Sequence, residues 1–290
     1  MLQYSPMGPM GIRAGLTARR ARPSDWLQIE TLNQTAQRAL CWLWWWEEYL
    51  GGDLFVVVEH GDTVMGALFV SPDGAPVAWV RLVALGDALD AGAWLDTALP
   101  PILAGLRQRG VRSLAWMDYA GWAGPLLGPR GFERVTDVVT LLKRDRALPD
   151  GGVVDAFLRK ASEVDIPAIL AVDRAALGPH WWYGKETMRR RAAGLSHFAV
   201  AEVSGAVVGH AEGELRLPVA HLDRIAVHPD HQGRGIGTAL MRDALQALWL
   251  RGATRVTLNT QSDNRRSQQL YRRFGFRPTG DVMTAWELPL

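Results

Sequence analysis

Between His221 and Met241 the chain runs His-Leu-Asp-Arg-Ile-Ala-Val-His-Pro-Asp-His-Gln-Gly-Arg-Gly-Ile-Gly-Thr-Ala-Leu-Met. Leu222 to Val227 carry a strand pattern, Pro229 and Asp230 break it, and Thr238 to Leu250 read as an apolar-rich helix. Between strand and helix, Gln232, Gly233, Arg234, Gly235, Ile236 and Gly237 form a turn with glycine at alternate positions. Glycine lets the backbone turn its N–H groups inward, and a helix N-terminus adds the positive end of its dipole. The spacing therefore predicts an anion site suited to a phosphate or pyrophosphate. Two familiar phosphate turns are excluded. No Lys-Ser or Lys-Thr follows these glycines, as a P-loop requires. The third glycine is also misplaced for the G-x-G-x-x-G turn that binds dinucleotides.

A second segment reads as a strand over Arg255 to Thr260, followed by Asn264-Arg-Arg-Ser-Gln-Gln-Leu-Tyr271-Arg-Arg-Phe-Gly275-Phe276. On a helix, Asn264 and Tyr271 fall two turns apart on one face and can point at one ligand. A phenol of pKa about 10 can donate a proton to a leaving group; Tyr271 also reads as an ordinary buried aromatic. His221 and Asp223 share one strand face by alternation, and an imidazole of pKa near 6.5 suits a base at neutral pH. His221 equally fits a half-exposed residue at a strand start. Glu212 and Glu214 on the preceding strand are further candidates, and the sequence leaves the base open.

A strand ending Ile-Ala-Val, then Q-x-x-G-x-G, then N-x-x-[AS]-x-x-L-Y-x-x-x-G-F resembles the Gcn5-related N-acetyltransferase (GNAT) superfamily. The resemblance implies acetyl-CoA as cofactor and direct attack of an acceptor's primary amine on the thioester. It implies that main-chain groups from Gln232 to Thr238 hold the pyrophosphate, with Arg234 assisting. Ile225, Ala226 and Val227 would offer backbone to the pantetheine arm at a splay between the central strands. By the same resemblance Asn264 bonds that arm and Tyr271 lies near the thioester sulfur. Arg265 could reach the 3′-phosphate, although Arg265-Arg266 and Arg272-Arg273 also read as solvated helix faces. The chain departs from the branch that acetylates peptide N-termini. That branch carries a glutamate five residues before the asparagine, where this chain has Asn259, an amide that cannot act as a base. At the position of the glutamate in the histone-acetylating branch stands His221.

These residues need a scaffold, and the chain supplies it twice. Asp25 matches Asp165, Ile29 matches Ile169, Phe55 to Gly66 matches Phe198 to Gly209, Val77 to Leu85 matches Val219 to Val227, and Arg130-Gly-Phe matches Phe274-Gly-Phe, at offsets of 140 to 144. Ordered matches at a nearly constant offset indicate a tandem duplication. The expected organisation is a GNAT-like domain over 16–146, a turn-rich linker over 147–153 and a catalytic domain over 154–290. The fold class is α/β (α+β): two tandem domains, each a mixed, mostly antiparallel central sheet flanked by helices. The copies differ where chemistry is expected. Gln232 falls on Asp90, Gly235 on Ala93, Gly237 on Leu95 and Tyr271 on Leu127, while Trp79 and Arg81 stand opposite His221 and Asp223. An aspartate repels an anion and side chains obstruct backbone approach, so the first copy reads as degenerate.

The 290 residues are 48% hydrophobic and 21% charged with a net charge of +2, enough apolar content for two cores and no demand for a nucleic-acid partner. One cysteine, Cys41, excludes an intrachain disulfide and any multi-cysteine metal site. No signal peptide or membrane span is visible, and a cytoplasmic protein is expected. His180 has no companion at ligand spacing, so no metal is expected. Thirteen tryptophans are many, and they cluster. Trp181, Trp182 and Tyr183 read as the wall of an acceptor pocket for a small-molecule amine, or as interface. Trp42, Trp44, Trp45 and Trp46 are expected to bury an interface between the halves. A protein or peptide acetyltransferase and a non-catalytic acyl-CoA sensor remain as competing readings.

Overall fold

The computed structural model describes residues 11–43, 45–149 and 154–290. Trp44 and residues 150–153 of the expected linker lie outside the described residues. In chain order the first half forms β1 (Leu16–Arg20), α1 (Trp26–Thr35), β2 (Arg38–Cys41), β3 (Phe55–His60), β4 (Thr63–Ser71), β5 (Val77–Leu85), α2 (Ala91–Gln108), β6 (Ser113–Asp118), α3 (Gly124–Leu127) and β7 (Glu133–Lys143). The second half forms β8 (Phe157–Lys160), α4 (Ile166–Ala176), α5 (Lys185–Gly194), β9 (His197–Val203), β10 (Ala206–Arg216), β11 (Val219–Val227), α6 (Ile236–Leu250), β12 (Arg255–Gln261), α7 (Arg265–Arg273) and β13 (Arg277–Pro289).

The same element order recurs, and so does one ion triad. Arg19 binds Asp25 at 2.6 Å and Glu59 at 2.5 Å; Arg159 binds Asp165 at 2.7 Å and Glu202 at 2.5 Å. In each copy the arginine sits on the first strand, the aspartate caps the turn entering the next helix, and the glutamate comes from the neighbouring strand. A fork-shaped guanidinium holding three elements at once fixes the start of the fold. The duplication seen in the sequence is thus repeated at the level of individual bonds.

Central strands are apolar on both faces because helices cover both. In the first unit Val56 and Val58 join Trp94, Leu95 and Ile102 of α2, whereas Phe55 and Val57 join Ile29 of α1. Trp45 and Trp46 pack into this second layer with Phe55 and Phe69. They build the first unit's own core, which corrects the expectation of an interface role. An indole is large enough to fill the space beneath a ten-residue helix that buries only Ile29. In the second unit Ala220 and Leu222 face Leu240, Met241 and Leu245 of α6, and Phe198 and Val200 face Ile166 and Ile169 of α4.

The two compact units do not follow the boundary drawn from the sequence. One runs to Val135 and includes Thr284–Leu290; the other is Thr136–Met283. In the first unit the strand order is β1-β3-β4-β5-β6 with β13 beside β6, its Thr284 to Pro289 pairing antiparallel with Asp118 to Ser113. In the second unit the order is β8-β9-β10-β11-β12 with β7 beside β12, its Val138 to Lys143 pairing antiparallel with Gln261 to Val256. The strand beside β6 and the strand beside β12 therefore each come from the other half of the sequence. Duplicated halves carry equivalent last strands, so exchanging them costs no contacts. Among the described residues no helix is long and apolar enough to cross a membrane.

Candidate functional site

In the second unit β11 and β12 run parallel only from Val219–Arg255 to Leu222–Leu258. Beyond that point β12 continues along β7 as far as Gln261, and β11 continues along β10 as far as Val227. The strands splay, and the β11 edge from Asp223 onward faces a gap. At the end of this edge the chain enters the glycine turn. Gly233 and Gly235 have φ of +82° and +83°, left-handed values that other residues adopt at a cost. A Cβ at Gly233 would meet open space, so backbone conformation selects glycine there. Gly235 is the N-cap of α6, and its carbonyl accepts from the Ala239 amide at 3.0 Å. The first amides of α6 are thereby left pointing out of the helix end.

A cleft of about 1070 Å³ opens on this helix end. Its walls include Ile225, Val227, Gln232, Gly233, Arg234, Gly235, Ile236, Gly237 and Thr238. Across from them lie Arg266, Ser267, Leu270 and Arg273 of α7, with Arg242 on α6. Ala226 is 3% exposed and absent from the lining, so only its backbone can serve this side. Gln232 does a structural job: its Nε2 donates to the Val227 carbonyl at 2.8 Å, and its Oε1 accepts from Arg266. That side chain ties strand end, turn and α7 together. The cleft combines an unpaired strand edge, outward amides and cations, which fits a long ligand with an anionic middle.

Residues 168–276 match the model of the acetyltransferase (GNAT) family. This segment belongs to the GNAT family. An uncharacterised N-acetyltransferase of Methanocaldococcus jannaschii is 35% identical over 112 residues, covering 36% of this chain and 48% of that protein. A mycothiol acetyltransferase of an Arthrobacter species is 32% identical over 154 residues, covering 48% of this chain and 47% of that one. The chain thus spans about half the length of these relatives. Among solved structures, a tandem GNAT protein from the clavulanic acid biosynthesis pathway superposes with a TM-score of 0.63 at 17% identity, covering 94% of this chain and 98% of the other. That likeness establishes the shared GNAT fold. Enzymes of the family use acetyl-CoA as acyl donor.

Asn264 is outside the cleft lining; it is the N-cap of α7, and its Oδ1 accepts from the Ser267 amide at 3.1 Å. Its Nδ2 lies 3.5 Å from Gln261 Oε1. Asn264 therefore shapes the helix start, the usual work of asparagine there. Tyr271, on α7, is 8% exposed and outside the cleft lining, packed against α6 with its ring centre 6.1 Å from that of Phe276. Burial raises its pKa above 10, and its hydroxyl bonds Ser267, which lines the cleft. The phenol therefore stays protonated at the end of a short path to the cleft. Arg265 is exposed and outside the lining, whereas Arg266 and Arg273 face the cleft. The sequence could not separate adjacent arginines; helix phase does, because residues seven apart share a face.

The corresponding place in the first unit is filled by the chain itself. There β5 and β6 pair only from Val77–Ser113 to Trp79–Ala115 before separating. Into the gap comes β2, with Arg38, Ala39, Leu40 and Cys41 opposite Leu85, Ala84, Val83 and Leu82. By the repeat alignment, these are the counterparts of Val227, Ala226, Ile225 and Arg224. At the end of the edge Asp90 caps α2, accepting from the Ala93 amide at 2.9 Å. Ile12 bonds across to Ala88 and Asp90, and Arg13 pairs with the Asp90 carboxylate at 3.0 Å. A strand and a carboxylate occupy what in the second unit are an open edge and an open helix end.

On the opposite face of the second unit's sheet, α4 and α5 cover a buried charged cluster. A bulge creates it: Glu212 pairs with Arg224 and Gly213 with Leu222, leaving Asp223 without a partner on β10. Alternation resumes one residue late. His221, Asp223 and Arg224 consequently all face α4 and α5, joined by His210 and Glu212. Arg224 donates to Asp173 and, at 2.6 Å, to the Trp181 carbonyl, and stacks 4.0 Å from the Tyr183 ring centre. Arg191 binds Glu212 at 2.8 Å and reaches Asp223 at 3.3 Å. His210 Nε2 lies 2.8 Å from Asp173, and His221 Nδ1 lies 2.8 Å from Thr257 Oγ1. Burial lowers the His221 pKa and raises that of Asp223. Glu214, across from His221 in the ladder, is half-buried.

Of the expected acceptor wall, Tyr183 meets this cluster through its ring and Trp181 through its carbonyl. Trp182 is tied to its own loop, its indole donating to the Leu177 carbonyl at 3.0 Å. Asp173 and Arg191 were invisible to motif reading, lying 50 and 32 residues before Asp223. Their one sequence signal is a charge on an otherwise core-facing helix position.

Proposed function

We propose that this chain is an acetyl-CoA-dependent N-acetyltransferase acting on the primary amine of a small molecule, with one active site, in its second unit. The observation that carries the reading is the coincidence of the β11–β12 splay with the left-handed glycine turn at the α6 N-terminus. Bound there, acetyl-CoA supplies an acyl group activated as a thioester. Backbone at Ile225 to Val227 would orient the ligand as an added strand does. Amides of Gly235 to Thr238 would hold the pyrophosphate, with Arg234, Arg266 and Arg273 as the nearby cations.

The acceptor reaches the thioester from the α4/α5 face, where the splay apex meets His221 and Asp223. The chemistry balances as R–NH3+ plus acetyl-CoA giving the N-acetyl amide, CoA-SH and one proton. The ammonium must shed a proton before nitrogen attacks, and we assign that proton to His221, kept neutral by burial, or to Asp223, made more basic by it. Tyr271, buried and outside the cleft lining, would give its proton to the leaving sulfur by way of Ser267. Closure of the acceptor side by Tyr183, Arg191 and Arg224 favours a small acceptor over an extended peptide. The plugged first unit supports a single site.

The test is release of free CoA from acetyl-CoA across a panel of primary amines, with Gly235→Asp and Ala93→Asp beside the wild type. Gly235→Asp puts a carboxylate and a strained φ into the turn and should abolish release; Ala93→Asp should leave turnover within about twofold. Equal sensitivity at the two positions would sink the single-site reading.

A further inference from the structure

His221 and Thr257 stand opposite each other in the parallel β11–β12 ladder, one pair before the strands separate. Thr257 Oγ1 makes two contacts, with the Ala220 carbonyl at 3.2 Å and with His221 Nδ1 at 2.8 Å. A carbonyl only accepts, and a hydroxyl has one hydrogen to give. One placement of protons therefore satisfies both contacts. The Thr257 hydroxyl donates to Ala220, and its oxygen accepts from a hydrogen on His221 Nδ1. In a neutral imidazole that leaves the lone pair on Nε2.

The duplicated half supplies an internal control. At the matching point of the β5–β6 ladder Trp79 stands opposite Ala115, and both are buried. An indole offers no lone pair to a proton and a methyl group offers no hydroxyl. Both members of the pair are thus missing from the unit whose open edge is filled by β2. We propose that Thr257 is a positioning residue that fixes the Nδ1–H form of His221, and so makes His221 Nε2, rather than Asp223, the base for the acceptor amine. This inference rests on the acetyltransferase reading and narrows its choice of base. In the step, one N–H bond of the ammonium breaks and its electron pair stays on the amine nitrogen. The proton bonds to Nε2, and the imidazolium so formed keeps its Nδ1–H on Thr257. Asp223 of β11 and Glu214 of β10 favour that positive charge, and Arg191 of α5 opposes it. Before the step, burial holds the ring neutral.

The experiment reads the tautomer and the reaction separately, on the full chain. Long-range proton–nitrogen correlation spectra of protein carrying isotopically labelled histidine report which ring nitrogen holds the hydrogen. The His221 signals are identified by their loss in His221→Gln. Above the ordinary histidine titration range the wild type should show the Nδ1–H form, Thr257→Ser should keep it, and Thr257→Val should shift toward Nε2–H. CoA release from acetyl-CoA is then followed across the amine panel, n-butylamine, benzylamine and 2-aminoethanol included. Thr257→Val should lower kcat about tenfold or more, with the KM for acetyl-CoA within about twofold, and Thr257→Ser should restore kcat. The wild-type rate should fall on acidification below about pH 6.5, as protonation of Nε2 removes the base, and His221→Gln should lose that fall. An Nε2–H form in the wild type, or equal rates in the Val and Ser variants, would overturn the proposal. The Nδ1–H form without CoA release from any amine would uphold the hold of Thr257 on the ring and overturn the acetyltransferase reading instead.

Discussion

Asp90 Oδ1 accepts a hydrogen bond from the Ala93 amide at 2.9 Å, a built-in anion at the end of α2 where the matching helix α6 begins on Gly235 with no side-chain cap. With β2 laid along the β5 edge, the first unit supplies its own substitute for a bound ligand. Isothermal titration with CoA should therefore give one site per chain, and none for Gly235→Asp. A stoichiometry of two would show that the first groove opens.

Tyr271→Phe removes the phenolic proton and leaves the ring contact with Phe276 in place. Loss of a positioned acid typically costs about 10²–10⁴ in rate, so kcat should fall by about a hundredfold or more while the CoA dissociation constant stays within about twofold. Because burial lifts the Tyr271 pKa above 10, the wild-type rate should show no loss from this group below about pH 10. A Phe variant as fast as wild type would leave Tyr271 an ordinary core aromatic.

Arg266 and Arg265 are adjacent, yet only Arg266 lines the cleft. Arg266→Ala should raise the KM for acetyl-CoA about tenfold, equivalent to about 1.4 kcal/mol, and weaken its salt dependence. Arg265→Ala should change either by less than about twofold. Steady-state kinetics at low and high ionic strength decide between them. The Gln232 side chain, which accepts from Arg266, should show a smaller effect of the same sign when changed to Ala.

His221 carries a pKa lowered by burial. In the unfolded chain it protonates near pH 6.5, while the folded state resists. Acidification from pH 6.5 toward the folded pKa therefore costs stability, and the loss levels off below it. Asp223 acts oppositely: its folded pKa is raised, so protonation on acidification toward the unfolded value near 3.9 returns stability. Urea unfolding of His221→Gln between pH 7 and pH 5 should lose less stability than the wild type. Asp223→Asn should be neutral or stabilising at pH 7. A steeper acid loss in His221→Gln would refute the assignment.

The strand, glycine turn and helix from Leu222 to Leu250 were legible because each rests on local chemistry: alternation, φ and amphipathic period. The repeat was legible because Arg19 and Arg159 hold equivalent acids in both halves. Three features were not legible. The bulge at Asp223 shifts Arg224 to the face of His221, and no residue type announces it. Asp173 and Arg191 reach the cluster through tertiary packing of α4 and α5. Arg38 to Cys41 followed a helix in sequence and gave no sign of joining β5, because β-pairing across 41 to 47 residues is set by an available edge and not by local pattern.

The pairing of Thr284 to Pro289 with Ser113 to Asp118 carries a consequence for biosynthesis. The N-terminal sheet cannot acquire the strand beside β6 until residues 284–289 have left the ribosome. Dividing the chain near residue 150 would strip β6 and β12 of their native neighbours and expose raw sheet edges prone to aggregate. The two fragments should recover a native state only when produced together, trading strands as the intact polypeptide does.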